Sequence, residues 1–279
     1  MLKSALYIVP TPIGNLSDIT LRAVEVLKSA TLIAAEDTRH SKILLDHLGV
    51  FGTKLISCHD HNEEEKAQII ANEVKQGGIV ALISDAGSPL INDPGYRVVT
   101  YCANLNVDVV PLPGPCALIT ALEGAALPTD KFMFRGFFPV KEKELKEVLV
   151  SLTSVDYTAV FYETPKRILA TADALSEILP DHPVALCREL TKAYESFYRM
   201  KASQLPEFLR DNSDRTKGEF VVVIGSVPKT NTDIPSNIKE ALTELIKTTP
   251  VKTACSALAL ACNLKRNELY ELALKLKEK

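Results

Sequence analysis

The stretch ALISDAGSPLINDPGYRVV, residues 81–99, decides the fold class. Its apolar start, Ala81 to Ile83, reads as the end of a buried strand. Its far end reads as a helix, with Asp93 expected as the cap and Pro94 as the first helical residue. Between the two lie the breaker clusters Ser84-Asp85-Ala86-Gly87-Ser88-Pro89 and Asn92-Asp93-Pro94-Gly95. A plain strand-to-helix connection takes about 2–6 residues. This one is longer and carries two acids, two glycines and two prolines. Acids beside flexible glycines permit close backbone approach and charge recognition together, which is more than a doubled turn needs.

Outward from that loop, strand-like and helix-like segments alternate. Leu6-Tyr7-Ile8-Val9 is a short buried strand, followed by the loop PTPIGNLSD, a helix over about residues 19–29 and the strand TLIAAE at 31–36. Asn62 followed by Glu63-Glu64-Glu65 forms an N-cap with an acid at the third position, and Gly77-Gly78 closes that helix. IVALISD and VDVVPLP supply further strands on either side of the quoted loop and its helix. Such βαβ alternation predicts a mainly parallel sheet covered on both faces. After residue 122 the pattern resumes with KFMFRGFF, a charged helix from about Lys141, TAVFYE, a helix opened by Thr164-Pro165, PVALCREL and GEFVVVIG. Residues 226–236, SVPKTNTDIPS, form a polar linker. Beyond it NIKEALTELIK and VKTACSALALACNLKRNELYELALKL are wholly helical, with breaks at Thr249-Pro250 and Cys262-Asn263. In the last of these helices Leu264, Leu269, Leu272 and Leu276 form an inward stripe, with Lys265, Arg266, Lys275 and Lys277 facing outward. The fold class is α/β, with α/β domains at 1–121 and 122–228 and a small all-helical module at 229–279.

A chain of 279 residues with 46% hydrophobic content can build a substantial core, and its length sits where single cores divide. No apolar run reaches the roughly 18–20 residues of a membrane span. The start MLKSALYIVP lacks a signal-peptide layout. Cys58, Cys102, Cys116, Cys187, Cys255 and Cys262 form no C-x-x-C pair and read as reduced thiols of a cytoplasmic protein. The net charge of −3 conceals an asymmetry: residues 229–279 hold nine Lys/Arg against six Asp/Glu, about +3, leaving the body at about −6. A basic helical appendage on an acidic body points to nucleic acid, although a solvated helix face produces the same imbalance.

In open α/β sheets, ligands bind at the carboxyl ends of the strands. Four elaborate loops fall there: Pro10 to Asn15, Glu36-Asp37-Thr38-Arg39, the quoted stretch, and Pro111 to Ala117. Each has a plainer use. The first could be a rigid turn, Asp37 a helix cap paired with Arg39, and Pro115 the first residue of a helix. A dinucleotide site is discounted: Glu36 follows Gly14 at the spacing of a ribose-binding acid, but G-x-G-x-x-G is absent. Cys58-His59-Asp60-His61 suits a loop better than a metal site, since it precedes a helix cap, and no metal is expected. Phe161 to Arg167, Arg188 to Lys192 and Lys217-Gly218-Glu219 place acids and bases together at strand ends. They read as ion pairs or as a polar rim facing the first domain.

Taken together, PTPIGNLSDIT, AEDTR, HDHNE, SDAGSPLINDPGYRVV, PLPGPCALITAL, FYETPKR, RELTK and KGEF closely resemble the bacterial small-subunit ribosomal RNA methyltransferase I family of the tetrapyrrole-methylase (class III) superfamily. The resemblance runs from about Leu6 to Gly225, and the tail resembles the helix-turn-helix segment of that family. It implies S-adenosyl-L-methionine held in a cleft between the two α/β domains, a homodimer, and 2′-O-methylation of a cytidine ribose in the decoding region of small-subunit (16S) ribosomal RNA, free or in the 30S subunit. It places Pro10, Asp85, Ser88, Cys116 and Ala117 at cofactor positions, with Gly87 and Gly114 permitting the backbone geometry and Tyr162, Glu189 and Gly218 adding contacts from the second domain. The ribose hydroxyl needs a base, for which Glu36 and Asp37 sit on the correct edge. Arg39, Lys166, Arg167 and Lys217 are candidates to hold substrate phosphates. A tetrapyrrole C-methylase of the same fold, or a non-catalytic RNA-binding assembly protein, stands as the alternative.

Overall fold

Apolar runs without polar alternation make strands buried on both faces, and such runs form the centre of both sheets. The computed structural model describes residues 2–227, 234–262 and 264–277. The first half runs β1 (Ala5–Ile8), α1 (Leu21–Ser29), β2 (Leu32–Ala35), α2 (Thr38–His47), β3 (Lys54–Ser57), α3 (Glu63–Lys75), β4 (Ile79–Ile83), α4 (Tyr96–Asn104) and β5 (Val109–Pro111). Its strands lie in the order β3-β2-β4-β1-β5, all parallel. Successive side chains point to opposite faces. Tyr7, Ile33 and Ile83 accordingly pack against Val26 and Leu27 of α1 and Leu45 of α2. Leu6, Leu32 and Leu82 meet Ile70 and Val74 of α3 and Val98 of α4 on the other face.

The second half adds α5 (Ala117–Ala125), β6 (Phe132–Phe137), α6 (Glu142–Leu152), β7 (Thr158–Glu163), α7 (Ile168–Ile178), β8 (Pro183–Arg188), β9 (Ser196–Lys201), α8 (Leu205–Asp211) and β10 (Phe220–Ile224). The sheet order is β6-β7-β10-β8-β9, with only the β6–β7 pair parallel. One face packs on Leu149 of α6, Leu175 of α7 and Leu209 of α8. The other is covered by α5, whose Leu118, Ala121, Leu122 and Ala125 meet Val160, Ala185 and Val223. The helix launched from the last strand of the first sheet therefore roofs the second sheet. Its C-terminal carbonyls at Gly124 and Ala125 accept hydrogen bonds from Arg199 of β9, beside a left-handed Ala126 (φ 56°). The expected division between residues 121 and 122 falls inside α5.

The local structure departs from the sequence reading in several places. Gly95, not Asp93, is the N-cap of α4, because Asn92 (φ 67°) and Gly95 (φ 127°) keep the chain turning past Pro94. Asn62 does precede α3, but its side-chain oxygen accepts the His59 N–H instead of capping the helix. The edge strands β3 and β9 have mixed polarity and were hidden for that reason.

The chain divides into two compact units between Ser226 and Val227. The smaller holds α9 (Ser236–Thr248), α10 (Val251–Cys262) and α11 (Arg266–Lys277). Leu242, Ala254, Cys255, Leu269 and Ala273 form its core, with Leu264, Leu272 and Leu276 packed against them, while Lys265, Arg266 and Lys275 are exposed. Within the expected linker, residues 228–233 lie outside the described residues, as do Asn263 at the expected break and the side chain of Lys277. No described helix is long and apolar enough to cross a membrane.

Candidate active site

Because all five strands of the first sheet run the same way, the loops after β1, β2, β4 and β5 emerge on one edge. They are laced together. Thr11 and Gly87 exchange backbone hydrogen bonds of 2.8 and 2.9 Å, joining the loop after β1 to the loop after β4. The Ser88 hydroxyl donates to the Pro115 carbonyl at 3.0 Å, which ties in the loop after β5. Asp85 accepts the Asp37 N–H at 3.1 Å and so brings in the loop after β2. Gly114 lies so close to Pro10 that an added Cβ would stand 2.7 Å from the proline Cβ. Behind the long loop, Glu63 is buried and accepts the N–H of Gly95, with Arg97 3.9 Å away. The acid of the HDHNE motif thus anchors the DPG turn from 32 residues upstream.

The facing wall comes from the second sheet. Glu189 (φ 50°), just after β8, and Gly218 (φ 94°), just before β10, meet at one edge of that sheet. Oε1 of Glu189 accepts the Glu219 N–H at 2.9 Å and Lys192 Nζ at 3.0 Å, and Lys192 also reaches Glu219 at 2.8 Å. Gly14 packs on Lys192 and Thr191, closing the seam between the walls. A cavity of about 700 Å³ lies between them, within the usual range of small-molecule sites, about 300–1,000 Å³.

Gly87, Ser88, Cys116, Ala117, Tyr162, Glu189 and Gly218, all expected at cofactor positions, line this cavity. Pro10, Asp85 and Gly114 are not among the lining residues, and the contacts above make them braces of the loops that do line it. Ile13, Asn92, Asp93, Phe137, Glu163 and Lys192 line the cavity without having been singled out. Asn92 and Asp93 lay in the quoted stretch, where their use as breakers and cap masked them. Phe137 follows a bulge at Gly136 (φ 69°), and its ring meets Tyr162 edge-on at 5.6 Å. Bulges of this kind re-aim side chains beside active sites. Burial raises the Tyr162 phenol above its ordinary value, so it stays neutral.

The expected catalytic pair lies on the same sheet edge, outside that lining. Neither Glu36 nor Asp37 lines the cavity. Asp37 caps α2 by accepting the Arg39 N–H at 2.8 Å, and its carboxylate grips the Arg39 guanidinium at 2.8 Å. That pairing holds its carboxyl far below the ordinary carboxylate range, which makes a feeble base. Burial, and then the charge of Asp85, pushes Glu36 upward. Among the expected phosphate ligands, Arg39 is spent on Asp37. Arg167 is spent on the buried Glu163 at 2.8 Å and on the Phe138 carbonyl at 2.9 Å. Lys217 pairs with Asp214 at 2.8 Å, and Lys166 is exposed. Sequence spacing placed these cations correctly along the chain but could not show what each one holds.

Comparison with known proteins agrees with this fold. The family Tetrapyrrole (Corrin/Porphyrin) Methylases matches residues 5–206, and the RsmI C-terminal HTH domain matches residues 232–277. The Ribosomal RNA small subunit methyltransferase I of Vibrio cholerae is 45% identical over 271 residues, covering 96% of this chain and 94% of its own. The protein of that name from Haemophilus influenzae is 44% identical over 276 residues, covering 98% and 97%. Among solved structures, the cobalt precorrin-4 methyltransferase CbiF superposes with a TM-score of 0.59 at 19% identity, over 80% of this chain and 95% of its own. A uroporphyrin-III C-methyl transferase from Thermus thermophilus, complexed with S-adenyl homocysteine, gives 0.52 at 17% identity, over 79% and 97%. The structures share the fold; the sequences share nearly the whole length, helical tail included. By the family models and the sequence identities the chain is a methyltransferase of the tetrapyrrole-methylase family, and within it belongs to the ribosomal RNA small subunit methyltransferase I family.

Proposed function

We propose that this protein methylates the 2′-hydroxyl of a cytidine ribose in the decoding region of small-subunit ribosomal RNA, using S-adenosyl-L-methionine. The observation that carries the reading is the full-length identity to proteins named for that ribosomal RNA, tail included. The donor suits the cavity. Its size matches a space of about 700 Å³. Gly87 (φ 82°) and Gly218 (φ 94°) let backbone approach a ligand where a side chain would intrude. Gly87, Ser88, Cys116 and Ala117 hold the donor from one side, and Tyr162, Glu189 and Gly218 from the other. When bound, S-adenosyl-L-methionine supplies a methyl already activated by positive sulfur. The protein's own task is alignment, which can lower such a barrier by about 7–11 kcal/mol. The enzyme works as a cytoplasmic homodimer, a state that sedimentation would check.

Small ribosomal subunits from a strain lacking the enzyme, incubated with labelled S-adenosyl-L-methionine, should take up one methyl at a cytidine 2′-oxygen. Label on a base, or none on RNA, would overturn the reading.

The tail holds RNA by its phosphates. Lys252, Lys265, Arg266 and Lys275 are exposed on it, and the narrow major groove of RNA does not admit a reading helix. Deleting residues 227–279, one compact unit, should leave S-adenosyl-L-methionine affinity unchanged and raise the RNA concentration needed for half-maximal rate. The log–log salt slope of RNA binding should flatten by about 0.7–0.9 per lost phosphate contact. A truncated protein that modifies a different nucleotide would show instead that the tail selects the target.

A further inference from the structure

We propose that Asp93 is the general base that takes the proton from the attacking ribose hydroxyl, an assignment that rests on the ribose-methylation reading above.

The argument is one of which carboxylates are uncommitted. Four of them line the cavity: Asp93, Glu163, Glu189 and Glu219. Glu163 is fully buried and accepts from Thr164 N–H at 2.7 Å, Thr171 hydroxyl at 2.7 Å and Arg167 at 2.8 Å. Glu189 and Glu219 share Lys192. Each of these three is paired with a cation and holds part of the wall in place. Asp93 is different. Among the described residues no ion pair to Asp93 is seen, and the charges that bear on it are those of Glu36, Asp85 and Asp60 from neighbouring loops. Tyr162, a neutral phenol, faces it from the second sheet.

Its placement is fixed from both sides. Asn92 sits in the left-handed region (φ 67°), and its amide oxygen would lie 2.7 Å from a Cβ on Gly136, so the β6 bulge limits where this turn can go. Two residues beyond Asp93, Gly95 is held by buried Glu63 and packs against Leu82 and Leu90, where a Cβ would stand 2.9 Å from Leu82 Cδ2. Asp93 is thus a carboxylate in a turn braced at both ends, pointing into the donor cavity.

The chemistry balances without a further reactant. The oxygen–methyl bond forms as the carbon–sulfur bond breaks, the electron pair leaves with sulfur, and the hydroxyl proton passes to the Asp93 carboxylate and then to water. Burial pushes the Asp93 carboxyl up to about 6. A base is most effective when its pKa lies near the working pH, so this carboxylate is ionised at neutral pH yet more basic than an ordinary aspartate.

The test compares the parent with Asp93→Asn and Asp93→Ala. Single-turnover methyl transfer to unmodified small subunits should fall about 10²–10⁴-fold in Asp93→Asn, with S-adenosyl-L-methionine still bound in calorimetry. The parent's rate should climb with pH and level off above about 6, and the variant's should not. A second readout needs no substrate. A folded-state pKa raised above the unfolded value means the folded parent binds the proton more tightly, so raising pH from 5 to 8 costs it stability. Asp93→Asn should therefore melt higher than the parent at pH 8, by a margin that narrows as the pH falls to 5. A folded Asp93→Asn or Asp93→Ala protein that transfers methyl at the parent rate overturns the assignment. So does one whose only defect is weaker donor binding. A parent that leaves small subunits unmethylated at every pH sinks the substrate reading first, and the base with it.

Discussion

Arg167→Ala is expected to destabilise the larger compact unit by about 3 kcal/mol, the lower end of the range for breaking a buried ion pair. The cause is what remains. Glu163 has no exposed side-chain surface, and its partner Arg167 closes the site from above at 2.8 Å while also holding the Phe138 carbonyl. Removing the guanidinium leaves a buried carboxylate without its cation, served by the Thr164 N–H and the Thr171 hydroxyl. For a unit of this size, about 2–4 °C is lost per kcal/mol, so the melting temperature should drop by roughly 6–12 °C. The double variant Glu163→Leu with Arg167→Met should recover most of that loss, since apolar replacement of a buried pair is often neutral or better. Urea unfolding of the two variants beside the parent decides it. An Arg167→Ala protein as stable as the parent but with a flatter salt dependence of RNA binding would return Arg167 to the role of a phosphate ligand.

Gly218→Ala is expected to weaken S-adenosyl-L-methionine binding about tenfold or more. The glycine sits at φ 94°, and a Cβ there would lie 2.6 Å from Glu189 Cγ and 2.7 Å from its carboxyl. Glu189 cannot swing aside freely, because the Glu219 N–H and Lys192 Nζ both hold its Oε1. Left-handed strain alone costs about 1–2 kcal/mol for a residue with a Cβ, and 1.4 kcal/mol is tenfold in affinity. The alanine variant must therefore displace one wall of the cavity or break its braces. Calorimetric titration with the donor measures the effect. Unchanged affinity in a folded variant would remove Gly218 from the site.

Much of the fold could be read from the chain because its central strands are buried on both faces. TAVFYE is β7 from Thr158 to Glu163, and the alternation of Leu6 and Tyr7 between two cores follows from pleating alone. The loops at the carboxyl edge were legible for the same reason: breakers directly after an apolar run mark where a strand stops. Side-chain direction was not. Asp37 and Arg39 stand where catalysis would want them, yet they satisfy each other across a helix cap. Glu63 looked like one of several acids opening a helix, and its real partner, Gly95, lies too far along the chain for any periodicity to connect them. Asp93 was mistaken for a cap because Asp-Pro commonly opens helices. Only the left-handed Asn92 and Gly95 show that the turn runs on past it.

The helix α5 restricts how relatives of this protein can be recombined. It begins at Cys116 in the cavity wall, continues the chain of the first sheet, and buries its apolar side on the second. A chimera joined anywhere from the loop after β5 to Ala126 would pair one parent's helix with the other parent's sheet. Leu118, Leu122 and Ala125 would then face a surface shaped for different partners, and the cavity floor would move with them. A crossover between Ser226 and Val227 interrupts neither core. Exchange of the helical tail between relatives should therefore give folded, donor-binding proteins. Exchange of the first α/β half without α5 should give proteins that lose donor binding before they lose their secondary structure.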